Sequence, residues 1–208
     1  VLYQNLDLPT GTPYVILNMA STIDGKIITG EPDEHVMDLG SKTDHETMRT
    51  LHAQVDAVMI GAGTLRATKG IWYEPRLLRF VVSRTLDLPW NSRFFEDKAY
   101  VVSPARPVQD ARWIPLTNWP AVLRKIHSFG VRRLLIEGGG ELNAALFQED
   151  LIDEVFLTLT PKIKLGRETP TIAGGDPFPR ERVQDYELLS CLPVENEVFL
   201  RYRRKRIK

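Results

Sequence analysis

Leu134-Leu-Ile-Glu137-Gly-Gly-Gly140-Glu-Leu-Asn143 is an apolar run that ends in a carboxylate, passes three glycines and enters a helix-compatible stretch. It predicts a buried strand, a tight turn and a helix from about Glu141 to Gln148. Glycines at a strand end let backbone N–H groups approach an anion, and the following helix adds its positive end. Gly138, Gly139 and Gly140 are therefore a candidate seat for a pyrophosphate; the other reading is a strand-to-helix turn with no ligand. Glu137 is either partly buried and paired, or it faces a ligand hydroxyl or amine, and the ligand is preferred.

Working outward, similar units flank this one. Val15 to Ala20 reads as a buried strand before a Ser-Thr-Ile-Asp24-Gly turn, and Asp56 to Gly61 as a second strand closed by Gly61-Ala-Gly63 and a short helix. Phe80 to Ser83 and Tyr100 to Ser103 end in serine, each with an arginine close behind, Arg84 and Arg106. Helices are predicted at Thr43 to Gln54, where Thr43 and Glu46 form a capping-box pattern, and at Trp119 to Phe129. Val155 to Thr160 alternates like a strand, and Tyr186 to Cys191 with Val198 to Tyr202 reads as an antiparallel pair. The order predicts one α/β domain over residues 1–208, a mixed sheet flanked by helices with an antiparallel C-terminal segment.

Ligands in open α/β sheets gather at the carboxyl ends of strands. That makes Gly61, Gly63, Ser83 and Ser103 cofactor candidates, and Arg84 or Arg106 a partner for the extra phosphate that separates NADP from NAD. Gly61-Ala-Gly63-Thr-Leu-Arg66 has Arg where a dinucleotide fingerprint needs its third glycine, and Gly40-Ser-Lys-Thr43 is not a P-loop. Lys+Arg 27 balance Asp+Glu 27 in 208 residues, so no global field draws the chain to nucleic acid or a membrane. No run nears the roughly 20 apolar residues of a membrane span. A lone Cys191 excludes an internal disulfide and a multi-thiolate metal site, and the four histidines show no metal spacing. A cytoplasmic setting is expected. The basic tail from Arg201 reads as a solvated end rather than an RNA contact.

Taken in order, Asn18-Met-Ala-Ser-Thr-Ile-Asp-Gly-Lys26, Leu51-His-Ala-Gln-Val-Asp-Ala-Val-Met-Ile-Gly-Ala-Gly-Thr64, Leu134 to Asn143 and Leu151-Ile-Asp-Glu-Val-Phe-Leu-Thr-Leu-Thr-Pro-Lys162 resemble the riboflavin-pathway pyrimidine reductases. That family also forms the C-terminal domain of bifunctional deaminase-reductases. The resemblance covers roughly residues 13 to 175. It implies a dihydrofolate-reductase-like fold, a homodimer, and NADPH-dependent reduction of the ribosyl group of a phosphoribosylamino-pyrimidine to ribityl. By matched position it places Ser21, Thr22, Thr64, Ser103 and the glycine loop through Glu141, Leu142 and Asn143 on the cofactor. Asn18, Asp24, His52 and Glu137 fall on the substrate, with Asp24 and Glu137 as catalytic groups and no metal. No deaminase motif is present. The sequence departs from the family after Thr64: Thr68 replaces an Asp, a Leu-Thr-x-Arg end is missing, and His52 replaces an Arg. Lys69, Arg66 or Arg76 is then the expected substitute cation. A same-fold reductase for a dihydrofolate-like pterin, or a non-catalytic nucleotide- or RNA-binding relative, is the alternative.

Overall fold

A computed structural model describes residues 8–31, 34, 38–68, 71 and 73–205. Lys69 and the last three residues of the tail lie outside them. Among the described residues, four α-helices and nine strands follow in the order β1 (Tyr14–Thr22), α1 (Lys42–His52), β2 (Ala57–Gly61), α2 (Ala62–Ala67), β3 (Leu78–Val82), β4 (Ala99–Ser103), β5 (Arg112–Pro115), α3 (Trp119–Ser128), β6 (Arg133–Ile136), α4 (Gly140–Gln148), β7 (Glu154–Thr160), β8 (Tyr186–Val194) and β9 (Glu197–Arg204).

The strands form one nine-stranded sheet in the order β5-β4-β3-β2-β6-β1-β7-β9-β8. Seven are parallel; β9 runs antiparallel to β7 and β8 antiparallel to β9. After β5 the chain turns back and inserts β6 between β2 and β1. This reversal opens a crevice at the carboxyl edge beside β6, the usual place for a ligand in such sheets.

Parallel strands covered on both faces need apolar residues at every position, and Ala57 to Ile60 are all fully buried. One face packs Val15, Leu17, Met59 and Ile136 against Val122, Leu123 and Ile126 of α3 and Leu142 and Leu146 of α4. The other packs Ile16, Val58, Ile60 and Leu135 against Leu51 of α1, Leu65 of α2 and Phe94. The outer strands β8 and β9 leave this double cover, and Leu188 and Leu192 are exposed there.

Two local expectations change. The cap of α1 is Ser41, whose Oγ accepts from the N–H groups of Thr43 and Asp44; Thr43 is already inside the helix. Strand β5 was not predicted, because Arg112-Trp-Ile-Pro115 shows too little alternation over four residues. Its pairing with β4 forms it.

Candidate active site

The carboxyl ends of β1, β2, β3, β4 and β6 share one edge because those strands are mutually parallel. Gly61 donates its N–H to the Gly138 oxygen at 2.7 Å, and Glu137 donates to the Met59 oxygen at 3.1 Å, so the glycine loop is stitched to β2. Ser83 donates to the Val102 oxygen at 3.0 Å, which continues the edge to β4. Thr64, Ser103 and Gly139 therefore lie along one rim.

The glycines divide by what surrounds them. A Cβ on Gly61 would press on the backbone of Gly138 and Gly139, one on Gly140 would meet the Thr171 oxygen at 2.5 Å, and one on Gly138, whose φ is +82, would meet Met19 Sδ at 3.0 Å. Those three serve close packing or a left-handed backbone. Gly139 and Gly63 are different: the nearest atoms to their Cβ positions are Thr64 Oγ1 at 3.4 Å and Arg66 Nη2 at 3.9 Å. The space above them is open. Gly139 also caps α4 with no side-chain partner, leaving the first-turn N–H groups of the helix available to an anion. The Gly138–Gly139 peptide is cis.

Ser21 Oγ on β1 and Asn143 Oδ1 on α4 are buried polar atoms that lack a partner among the described residues. Ser21 sits two residues beyond Met19 on β1, and Asn143 donates its Nδ2 to the Ile172 oxygen at 2.7 Å. Leu142 sends its side chain into the core, which leaves only its backbone to meet a ligand at this loop. Glu141 pairs with Arg84 at 3.4 Å on the open surface. Arg106 is exposed. Ser83 Oγ accepts from the Leu86 N–H, and Ser103 Oγ donates to the Ala105 oxygen while accepting from Trp113 Nε1 at 3.1 Å. These serines build the rim's turns. An open glycine cradle at a helix start, with the exposed Arg84 reaching the first turn of that helix, fits a phosphate-bearing dinucleotide.

On the α1 face of the same edge stands an acidic group. Glu137 receives Tyr73 Oη on Oε2 at 2.7 Å and lies 2.7 Å from His52 Nε2 through Oε1. A carboxylate only accepts, so Nε2 carries the proton in that contact. Tyr73 is raised well above its ordinary phenol value, first by burial and then by the Glu137 charge. Asn18 lies half-buried one residue past the register pair Leu17–Ile136, beside Glu137.

Asp24 is held by its own turn: Oδ1 accepts from Thr22 Oγ1 at 2.6 Å and from the Lys164 N–H, and Oδ2 from the Leu165 N–H at 2.8 Å. The Thr22 hydroxyl, with the Leu165 and Lys164 amides, holds this carboxyl down at about 2. Its unfolded value is higher, so the turn gains stability above the usual carboxylate range and loses it as pH falls toward 2.

The substitute cations are employed elsewhere. Arg76 donates to the carbonyl oxygens of His52 and Val55 and closes the end of α1. Arg66 reaches the Asp87 oxygen at 3.0 Å. Tyr73 escaped the sequence reading because an aromatic residue in a loop ordinarily signals packing. Among the described residues, no group of three or more His, Cys, Asp or Glu could hold a metal ion, and no helix is long and apolar enough to cross a membrane. A depression of about 330 Å³ lined by Trp90, Phe95, Asp97, Gln109 and Arg112 lies at the amino ends of β4 and β5, away from this rim.

The model of the RibD C-terminal domain family matches residues 13–200, further than the resemblance seen in the motifs alone. The 2,5-diamino-6-ribosylamino-4(3H)-pyrimidinone 5′-phosphate reductase of Archaeoglobus fulgidus is 28% identical over 80% of this chain and 88% of its own length. The protein of the same name from Methanothermobacter thermautotrophicus is 29% identical over 79% and 85%. Among solved structures, RibD of Acinetobacter baumannii superposes with a TM-score of 0.78 at 21% identity, covering 94% of this chain and 59% of that one. A pyrimidine reductase-like protein of Corynebacterium diphtheriae gives 0.77 at 19%, covering 97% and 96%.

Proposed function

The chain belongs to the RibD C-terminal domain family, and on that premise we propose that it is an oxidoreductase of riboflavin biosynthesis. It reduces the ribosyl group of a phosphoribosylamino-pyrimidine to ribityl with NADPH. One juxtaposition carries the reading: the open cradle at Gly139 adjoins, two residues away, the half-buried carboxylate Glu137. One element thus offers a dinucleotide and a sugar their binding groups side by side.

NADPH supplies a hydride when bound. Thr64, Gly63, Gly139 and the first turn of α4 would hold its pyrophosphate, and Arg84 and Arg106 its extra phosphate. The unpartnered Ser21 Oγ and Asn143 Oδ1 would answer an amide's donor and acceptor. Glu137 and Asn18 accept and donate to sugar hydroxyls, fixing the reacting carbon against the nicotinamide. Asp24, tied to Thr22 and residues 164–165, keeps the β1 turn in place under that pocket. The reading includes a homodimer, supported by the exposed Leu188 and Leu192 on the outer strand and Ile163 and Leu165 on the adjoining loop.

The test is direct. Purified protein given the diamino or the deaminated phosphoribosylamino-pyrimidine consumes NADPH, followed by its absorbance, and dihydrofolate serves as the competing substrate. Failure of both pyrimidines, or faster turnover of dihydrofolate, overturns the assignment. Sedimentation of the wild type as a monomer overturns the dimer.

A further inference from the structure

Glu137 is held in an unusual way. Its two oxygens each receive one hydrogen bond, from residues 64 and 85 positions away in sequence. Tyr73 is 2% exposed, and the His52 and Glu137 side chains are 12% and 11% exposed. The rings of His52 and Tyr73 meet edge-on at 5.3 Å, and Tyr73 packs edge-on against Phe94 at 6.2 Å. The tyrosine ring is therefore packed between His52 and Phe94, and the His52 carbonyl accepts from Arg76. A carboxylate has about four lone-pair sites. Two are taken here, and one on each oxygen is left.

We infer that Tyr73 is a positioning residue of the reductase: with His52 on the opposite oxygen, its hydroxyl fixes Glu137 in the orientation that receives the hydroxyls of an open-chain sugar. This rests on the reading of Glu137 as the group that faces substrate. It also explains how the site works with histidine where the family's arginine stands, since Arg66 and Arg76 are employed elsewhere.

The chemistry says what such a fixed acceptor is for. In ring opening, the C1′–O4′ bond breaks and its electron pair goes to O4′. The nitrogen lone pair closes C1′=N, and the nitrogen's proton passes to O4′. A hydride, which bound NADPH would supply, would then add to C1′ and a proton from water to nitrogen. The opened form carries a hydroxyl that the ring lacks. An acceptor rigidly placed for that hydroxyl binds the opened form better than the closed one, which raises turnover rather than ground-state affinity.

Tyr73→Phe keeps the ring packing and removes the donor. It should lower kcat about 10- to 100-fold, leave KM for the pyrimidine within about threefold, and leave the affinity for NADPH unchanged. Because Tyr73 acts through Glu137, adding Tyr73→Phe to Glu137→Gln should cost no further activity, and His52→Gln should keep more kcat than His52→Ala. If Tyr73→Phe does not fold, the two His52 variants carry the same test. Wild-type kcat in Tyr73→Phe, or an equal further loss in the Glu137→Gln background, overturns the inference while leaving the functional reading intact. A wild type that does not turn over the pyrimidine overturns both.

Discussion

The adjacent glycines at the start of α4, its cap Gly139 and its first residue Gly140, should respond oppositely to the same small change. A Cβ on Gly140 would lie 2.5 Å from the Thr171 oxygen, so the turn at residues 171–174 must retreat. That turn is held by the Gly174 N–H on the Gly140 oxygen at 3.2 Å, by Asn143 Nδ2 on the Ile172 oxygen at 2.7 Å, and by the Lys26–Thr171 bridge. Overpacking costs about 1–3 kcal/mol and each strained hydrogen bond about 1 kcal/mol more. Gly140→Ala should thus lose about 3 kcal/mol, lowering Tm by roughly 6–12 °C for a chain of this size. Gly139 has φ −84 and meets only Thr64 Oγ1, at 3.4 Å. Gly139→Ala should cost the fold about 1 kcal/mol or less, the price of a poorer cap. The methyl instead occupies the cradle, and NADPH affinity should fall roughly 100-fold, about 2.7 kcal/mol. Thermal melts and fluorescence titration with NADPH separate the two. Wild-type NADPH affinity in Gly139→Ala, or an unchanged melt in Gly140→Ala, would refute the division of the glycines into open and packed.

Burial first, and neighbouring acidic charge after it, raises the phenols of Tyr14 and Tyr73 above 10; burial leads at Tyr186 too. A raised folded value means the unfolded chain releases these protons first, so stability should begin to fall as pH rises past about 10. Tyrosinate absorbance of the folded protein near pH 11 should not change in Tyr14→Phe, Tyr73→Phe or Tyr186→Phe, and a proportional drop would contradict the burial. Glu154 is fully buried with Tyr14, Arg201 and Arg203 on its oxygens. Glu154→Leu strands those cations and should cost about 3–5 kcal/mol in urea unfolding, against about 1–3 kcal/mol for Tyr14→Phe; the reverse order would be incompatible with an arginine-held carboxylate. Replacing Arg84 and Arg106 together by alanine should raise KM for NADPH at least roughly tenfold, about 1.4 kcal/mol, and leave NADH unaffected. Equal losses for both cofactors would remove these arginines from the extra phosphate.

What the sequence determined on its own is local. Apolar runs such as Ala57 to Ile60 specify strands buried on both faces, and a carboxylate with glycines after Leu134-Leu-Ile specifies where backbone can approach a ligand. Alternating strand and helix signals imply a mixed sheet flanked by helices, and the motif order points to the family. The partners were decided by tertiary structure. Glu137 was open between a paired and a ligand-facing carboxylate, and the sheet pairs it with His52 and Tyr73 from distant segments. Each of its oxygens keeps a lone pair, so pairing does not bar the substrate role proposed for it. The three neighbouring glycines look alike in sequence, yet only the atoms brought beside them, Met19, Thr171 and Thr64, make two of them packing devices and leave one open. Four-residue β5 exists because β4 offers it a ladder. Each difference has the same cause: hydrogen bonds and excluded volume between segments far apart in the chain depend on which strands become neighbours in the sheet, which no single stretch of sequence states by itself.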